Sequence, residues 1–286
     1  MPQQYRTATS QPRITVAINS YRNVHMLRLC IMSAQKALTD MDGELIVADS
    51  ATQDDTRDLM RQEFPDVQFL PDAKNIGFGA MINKCLAVAQ GKYIFFINSD
   101  TIIEENTLHD LCAYFDAHPK IGILVPAQKL FNGKIIPTYF RFYRPLTVIY
   151  RRTPLGRFAF ARRHLAHFEM RDYDRRAPRA VDWVMGSALM VQRTKVRDVG
   201  SMDPRFFMYM EDVDWCRRFW EKGYPVVYHP AITMYHYYGK GSATGGFWRS
   251  LFFNRLTWIH IASAVKYFMK YRGTKSPCAD RAQIAW

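Results

Sequence analysis

The sequence is short of acid, short of cysteine and free of long apolar runs, and each shortage narrows what its 286 residues can be. Asp and Glu number 26 against 39 Lys and Arg, a net charge of +13, which points to polyanionic partners: nucleic acid, acidic membrane or a phosphorylated substrate. The five cysteines (Cys30, Cys85, Cys112, Cys216 and Cys278) are odd in number, widely spaced and lack any CxxC pair. That excludes a disulfide framework and a zinc site, and it suits a reducing cytoplasm. The N-terminus, MPQQYRTATSQP, is polar where a secretory signal is apolar. In the aromatic C-terminal region the longest charge-free stretch, Leu256 to Val265, is too short to span a bilayer, so attachment to a membrane surface is the form left open. No internal repeat or low-complexity tract is visible.

What is present supports a folded protein, with 48% hydrophobic and 14% aromatic residues, enough to bury a substantial core. The excess charge is local. Residues 141–179 hold 11 Arg against 3 acids, residues 247–273 hold 5 bases and no acid, and the remainder is balanced at 23 of each sign. Two basic surfaces on a neutral body argue against a general nucleic-acid binder.

Short apolar or β-branched runs at Ile14–Ile18, Glu44–Ala48, Val67–Leu70 and Tyr93–Ile97 read as buried strands, with helices predicted at Val24–Leu38, Asp55–Glu63 and Gly79–Ala89. Strand and helix alternate, which is the pattern of a mainly parallel sheet with helices on both faces. A helix near Glu105–His118, a strand Gly122–Val125 and an Asn132, Gly133 turn follow. The regular alternation then stops. The Arg-rich block reads either as a mobile or partner-dependent insertion or as an irregular helix. A strand at Ala188–Val191, a helix from Val213 to Lys222 and a strand Val226–Tyr228 resume the pattern.

Ligands of such sheets bind at the carboxyl ends of the strands. Those ends are polar here: Asn19, Ser20, Tyr21 after the first, Asp49 after the second, Asn75, Ile76, Gly77 beyond the third, and Asn98, Ser99, Asp100 after the fourth. Asp49 is either a loop carboxylate beside Thr52 and Asp54 or an acceptor for the N3 proton of a pyrimidine. Gly77 and Gly79, around Phe78, permit close backbone approach to a ligand at a helix start. Asp100 reads equally as a helix cap or as a hard oxygen ligand for Mg²⁺ or Mn²⁺ on a diphosphate. Glu211, Asp212 and Asp214 crowd another helix start, more acids than capping requires, and a desolvated carboxylate there can serve as a general base. His236 precedes a Gly239–Ser242 stretch that reads as flexible.

In order, the segments ITVAINSYR, ELIVADSATQDDT, KNIGFGAMIN, YIFFINSDT, VDWVMGSALMVQR and GSMDPRFFMYMEDVDWCRR, followed by His236, resemble the family 2 glycosyltransferases. The similarity runs from about Ile14 to Ser242 and is greatest to the rhamnosyltransferase-like branch that builds bacterial surface polysaccharides. It implies an A-type glycosyltransferase fold and an inverting, metal-dependent activity. Carried over position by position, Asn19, Ser20, Tyr21, Asn75, Gly77, Phe78, Asn98 and Ser99 fall at the donor site, with Asp49 reading the pyrimidine. Asp100 and His236 fall at the metal, Asp212 with Glu211 at the base position, and Trp183 and Gly186 at the acceptor. Asn98 stands where the family has the first acid of DxD, a weaker ligand that bears on metal affinity and identity.

The implied division is a flexible N-terminus to residue 12, a catalytic domain over 13–246 and a basic aromatic helical extension over 247–286. Within the catalytic domain, 13–125 forms the nucleotide-sugar half, 141–179 the Arg-rich insertion and 180–246 the acceptor half. The implied reaction moves rhamnose from dTDP-rhamnose to a lipid-linked saccharide at the cytoplasmic face of the membrane, with an anionic membrane surface as partner, no nucleic acid, and a homo-oligomer left open. A UDP-hexose donor is the alternative within the class, since a carboxylate cannot tell thymine from uracil; a silent sugar-nucleotide-binding scaffold is the alternative outside it. Nucleotidyl transfer is disfavoured because Asn19, Ser20, Tyr21 is no Gly-rich, basic loop. The C-terminal segment suits an anionic membrane surface or packing on the catalytic body or a second copy.

Overall fold

The structure, a computed structural model, describes residues 11–173, 176–237 and 255–277. The Gly239–Ser242 stretch, the aromatic run from Phe247 to Phe252 with Arg249, the first ten residues and Cys278 lie outside the described residues.

The first half alternates as its periodicity requires: β1 (Ile14–Tyr21), α1 (Val24–Ala37), β2 (Gly43–Ser50), α2 (Asp54–Glu63), β3 (Gln68–Asp72), α3 (Phe78–Val88) and β4 (Tyr93–Asn98). Strands β3, β2, β1 and β4 lie side by side in parallel. Both sheet faces are covered, and strand alternation divides the core between them. Tyr93, Phe95 and Ile97 of β4 face a cluster with Leu27 and Ile31 of α1, whereas Ile94 and Phe96 face Ile82 of α3 and Trp215.

Beyond β4 the sheet becomes mixed. After β5 (Thr101–Ile103), α4 (Thr107–Ala117), β6 (Ile123–Lys129), β7 (Ile135–Ile136) and β8 (Tyr139–Phe140), the Arg-rich block forms two helices, α5 (Pro145–Arg152) and α6 (Ala159–Phe168), joined by a 3₁₀ turn over Pro154–Arg157. Of the two readings of this block, the helical one matches the structure. Then come β9 (Arg179–Ala180), β10 (Trp183–Val184), β11 (Ala188–Gln192), α7 (Arg193–Val199), α8 (Glu211–Glu221), β12 (Val226–His236) and α9 (Arg255–Lys270). β11 inserts antiparallel between β4 and β6, and β12 runs parallel to β6. β10 pairs with β8 in a separate two-stranded sheet. The fold class expected from the sequence holds: a mostly parallel sheet between helices, with a C-terminal helix. Among the described residues no helix is long and apolar enough to cross a membrane.

Candidate active site

Register brings the polar strand ends together. Ser20 lies opposite Asp49, and Asn19 opposite Asn98, so β1, β2 and β4 release their last side chains at one edge. A pocket of about 230 Å³ opens there, lined by Asn19, Ser20, Tyr21, Asn75, Phe78, Asn98, Ser99 and Asp100 together with Asn23, Met81 and Met208. The last three were not legible as site residues; Met208 carried the one available signal, its place in the FFMYMED run.

The pocket lining and the end of β2 beside it hold polar atoms that the protein itself does not bond. Asn19 is 4% exposed and Asp49 2%, and the side-chain amide of Asn19, the Ser20 hydroxyl and both Asp49 oxygens lack a hydrogen-bond partner. Such groups are costly unless something else pairs with them. Burial pushes the Asp49 carboxyl up, and the nearby Thr52 and Ser20 hydroxyls pull it partly back.

Gly77 also makes a close approach within the chain. Its φ is +85°, and a Cβ there would lie 2.2 Å from the Phe207 carbonyl oxygen. The Phe78 amide donates to that same oxygen at 3.1 Å. The glycine therefore lets the 206–210 loop press onto the start of α3, a contact within the chain. Asn75 shapes the turn before it, its Oδ1 accepting from the Gly77 amide at 3.0 Å.

At the end of β4 the Asn98 amide donates to the Ser187 carbonyl and the Ser99 amide to the Asn19 carbonyl, which fixes the turn that presents Asp100. Register then delivers His236, opposite Thr101. Asp100 Oδ1 lies 3.3 Å from His236 Nε2. A carboxylate oxygen facing a buried imidazole nitrogen fits a divalent cation. Among the described residues no three His, Cys, Asp or Glu side chains converge, so other ligands would come from a diphosphate or water.

The third component approaches from α8. Tyr209 and Met210 hold φ of 68° and 69° immediately before it, a conformation costly for residues with a Cβ and concentrated at functional loops. Arg22 and Ala51, just past β1 and β2, share it. The turn swings Asp212 toward the edge, where its Oδ2 accepts from the Gly186 amide at 3.2 Å and its Oδ1 from Val213 at 2.8 Å. A Cβ on Gly186 would meet the Phe78 ring at 2.6 Å, so only glycine lets that amide reach Asp212 beside Phe78. Burial pushes the Asp212 carboxyl up to about 6, against the pull of the two amides. Glu211 is more deeply buried, and burial with the Asp212 charge beside it drives its carboxyl well above the usual range. Asp214 points elsewhere, to ion pairs with Arg218 and Lys270.

Trp183 is 5% exposed; its indole stacks on Phe140 and Tyr143, and its Nε1 donates to the Arg141 carbonyl at 2.8 Å. With Phe140 and Tyr143 it forms an aromatic wall. That wall borders a second cavity of about 490 Å³ between the Arg-rich helices, α8 and α9, lined among others by Arg144, Thr147, His164, Asp182, Arg217 and Tyr267.

Comparison with known proteins agrees with this geometry. Residues 12–259 match the family described as Glycosyltransferase like family 2. Over 244 residues, 80% of this chain and 76% of the other, the chain is 26% identical to an N-acetylglucosaminyl-diphospho-decaprenol L-rhamnosyltransferase of Mycobacterium tuberculosis. It is 33% identical to the rhamnosyltransferase WbbL of Escherichia coli over 101 residues, 35% of this chain and 36% of the other. Among solved structures, the mannosyltransferase PcManGT from Pyrobaculum calidifontis, in complex with GDP-Man and Mn²⁺, shares the fold with a TM-score of 0.58 at 15% identity, covering 94% of this chain and 68% of the other.

Proposed function

Because the chain belongs to the family 2-like glycosyltransferases, we propose that it transfers rhamnose, with inversion, from dTDP-rhamnose to a lipid-linked saccharide in the synthesis of a bacterial surface polysaccharide. The observation that carries this reading is the convergence at one sheet edge of a pocket floored by unpaired polar groups, the Asp100–His236 pair and Asp212. The donor sugar and the acceptor class follow the rhamnosyltransferase relatives, one of which is named for an N-acetylglucosaminyl-diphospho-decaprenol substrate. The enzyme works as a peripheral protein on the cytoplasmic face, where such an acceptor is presented.

In this reading Asp49 accepts the N3 proton of the pyrimidine, and Asn19, Ser20 and Asn98 bond the rest of the nucleotide. Asp100 and His236 would hold Mg²⁺ or Mn²⁺, whose charge stabilises the leaving diphosphate. Asp212 takes the proton of the acceptor hydroxyl as that oxygen bonds to C1 and the C1–O bond to the diphosphate breaks on the opposite face. A carboxyl held near pH 6 is mostly ionised at neutral pH and still basic enough for this. Burial and the Asp212 charge raise the Glu211 carboxyl beside it, which disfavours a second negative charge next to the base.

The test is nucleoside diphosphate release across a panel of sugar nucleotides with an N-acetylglucosaminyl-diphospho-lipid acceptor. The expected result is dTDP release from dTDP-rhamnose, abolished by chelation and restored by Mg²⁺ or Mn²⁺. His236→Ala should require a higher metal concentration. Turnover confined to a UDP-hexose, or full activity in chelator, would contradict the donor or the metal assignment respectively.

A further inference from the structure

The outer face of the Arg-rich insertion is not used by the transfer chemistry. From Arg141 to Phe168 the chain carries seven Arg and no acid. Three of them are engaged within the protein. Arg141 pairs with Asp172, Arg151 bonds the Tyr143 hydroxyl and lies over the Phe140 and Phe168 rings, and Arg152 bonds His260. Arg144, Arg157, Arg162 and Arg163 are exposed, and among the described residues no acid bonds any of them.

Interleaved with these free guanidiniums are Leu146, Ile149, Leu155, Phe158 and Phe160, each between 42% and 59% exposed. Leu146 and Ile149 share one face of α5. The Phe158 and Phe160 rings stack at 5.8 Å, and Tyr150 meets Phe160 edge-on at 5.7 Å, tying the two helices together. Gly156 lets the connecting turn close against α5, since a Cβ there would lie 2.3 Å from the Tyr150 carbonyl oxygen. The insertion is thus a folded unit that holds large apolar side chains and unpaired cations outward together. Apolar side chains of this size are costly to leave in water, and a second copy docked on the same face would set Arg against Arg. An anionic lipid surface satisfies both, with phosphates for the guanidiniums and acyl chains for the rings.

We propose that this face of α5 and α6 docks the protein on an anionic bilayer, with Leu155, Phe158 and Phe160 entering the acyl boundary and Arg157, Arg162 and Arg163 meeting the lipid phosphates. It deepens the lipid-linked acceptor reading, on which its biological purpose rests, because the same insertion walls the 490 Å³ cavity with Arg144, Thr147 and His164. It also moves the membrane contact away from α9, whose Lys266 and Lys270 bond the protein body.

The test is sedimentation of the full chain with phosphatidylglycerol-containing vesicles and with pure phosphatidylcholine vesicles, without donor or acceptor, so that its outcome does not depend on the transfer assignment. The wild type should bind the anionic vesicles, more weakly as salt rises. Arg157→Gln, Arg162→Gln and Arg163→Gln together should weaken binding about a hundredfold at low salt. Phe158→Ser with Phe160→Ser should weaken it in a manner that salt does not modulate, and Leu155→Ser, which leaves the Tyr150–Phe160 contact in place, should weaken it in the same sense. Trp258→Ser on α9 should bind as wild type. Absence of wild-type binding, insertion variants that bind normally, or an equilibrium dimer that Phe158→Ser dissociates would each overturn the proposal.

Discussion

Three acids in four residues do three different things. Asp214, fully buried, anchors a distant helix; the Glu211 carboxyl is pushed well above the usual range by burial and by the Asp212 charge; and the Asp212 carboxyl is pushed up to about 6 by burial. The sequence showed that the EDVD run held more acid than a helix start needs, but nothing in the spacing said which residue faced the sheet edge, because that depends on the left-handed Tyr209 and Met210. The raised Asp212 value makes a prediction with a definite sign. A general base works ionised, so the proposed role of Asp212 predicts that kcat/KM falls as pH drops below about 6 and levels off above it. Stability runs the other way. A carboxyl whose folded value is raised binds its proton more tightly in the folded state, so its contribution to stability is lost as pH rises through that value. Asp212→Asn should therefore melt no lower than wild type at pH 8, and a scan showing a large drop would mean that the carboxylate is needed for folding.

At the scale of elements, what the sequence disclosed and what it hid follow from how each element is stabilised. Strands β1, β2 and β4 are buried on both faces and read as apolar runs that stop at polar side chains, so the site edge was legible with them. β11 was legible as a strand but not as an antiparallel one, since direction is set by neighbours. α5 and α6 bury few residues, Thr147, Ala161 and Phe168 among them, leaving almost no apolar period to read. The C-terminal helix was visible as basic and aromatic, yet its docking depends on charges elsewhere in the chain. Lys270 reaches Asp203 at 2.8 Å and Asp214 at 2.5 Å, the Tyr271 hydroxyl donates to Asp214 at 2.9 Å, and Ser263 bonds the Met208 carbonyl beside the donor pocket. These contacts make α9 a brace for α8 and for the loop that leads into it. Lys270→Met should leave Asp214 short of a partner in a buried site and lower unfolding free energy by about 3 kcal/mol, measured by urea denaturation; a change within ±0.5 kcal/mol would show that the pair contributes little.

At the scale of the whole molecule the charge arithmetic acquires a geometry. The balanced part of the sequence is the sheet and its helices, and the surplus of Arg lies on the α5–α6 insertion, next to the C-terminal brace. Residues 13–125, which carry the candidate donor pocket, hold 10 bases against 15 acids, so the cations that a diphosphate lipid and its membrane would require lie in the rest of the chain. The central claim is that Asp212 at the common edge performs the proton transfer of rhamnosyl transfer. Single-turnover transfer from dTDP-rhamnose to N-acetylglucosaminyl-diphospho-lipid, by wild type and by Asp212→Asn with donor binding measured in parallel, tests it most directly. The account predicts a fall in rate of about 10² or more with donor affinity kept and product of inverted configuration from the wild type. A variant that turns over at the wild-type rate, or a product of retained configuration, would contradict it.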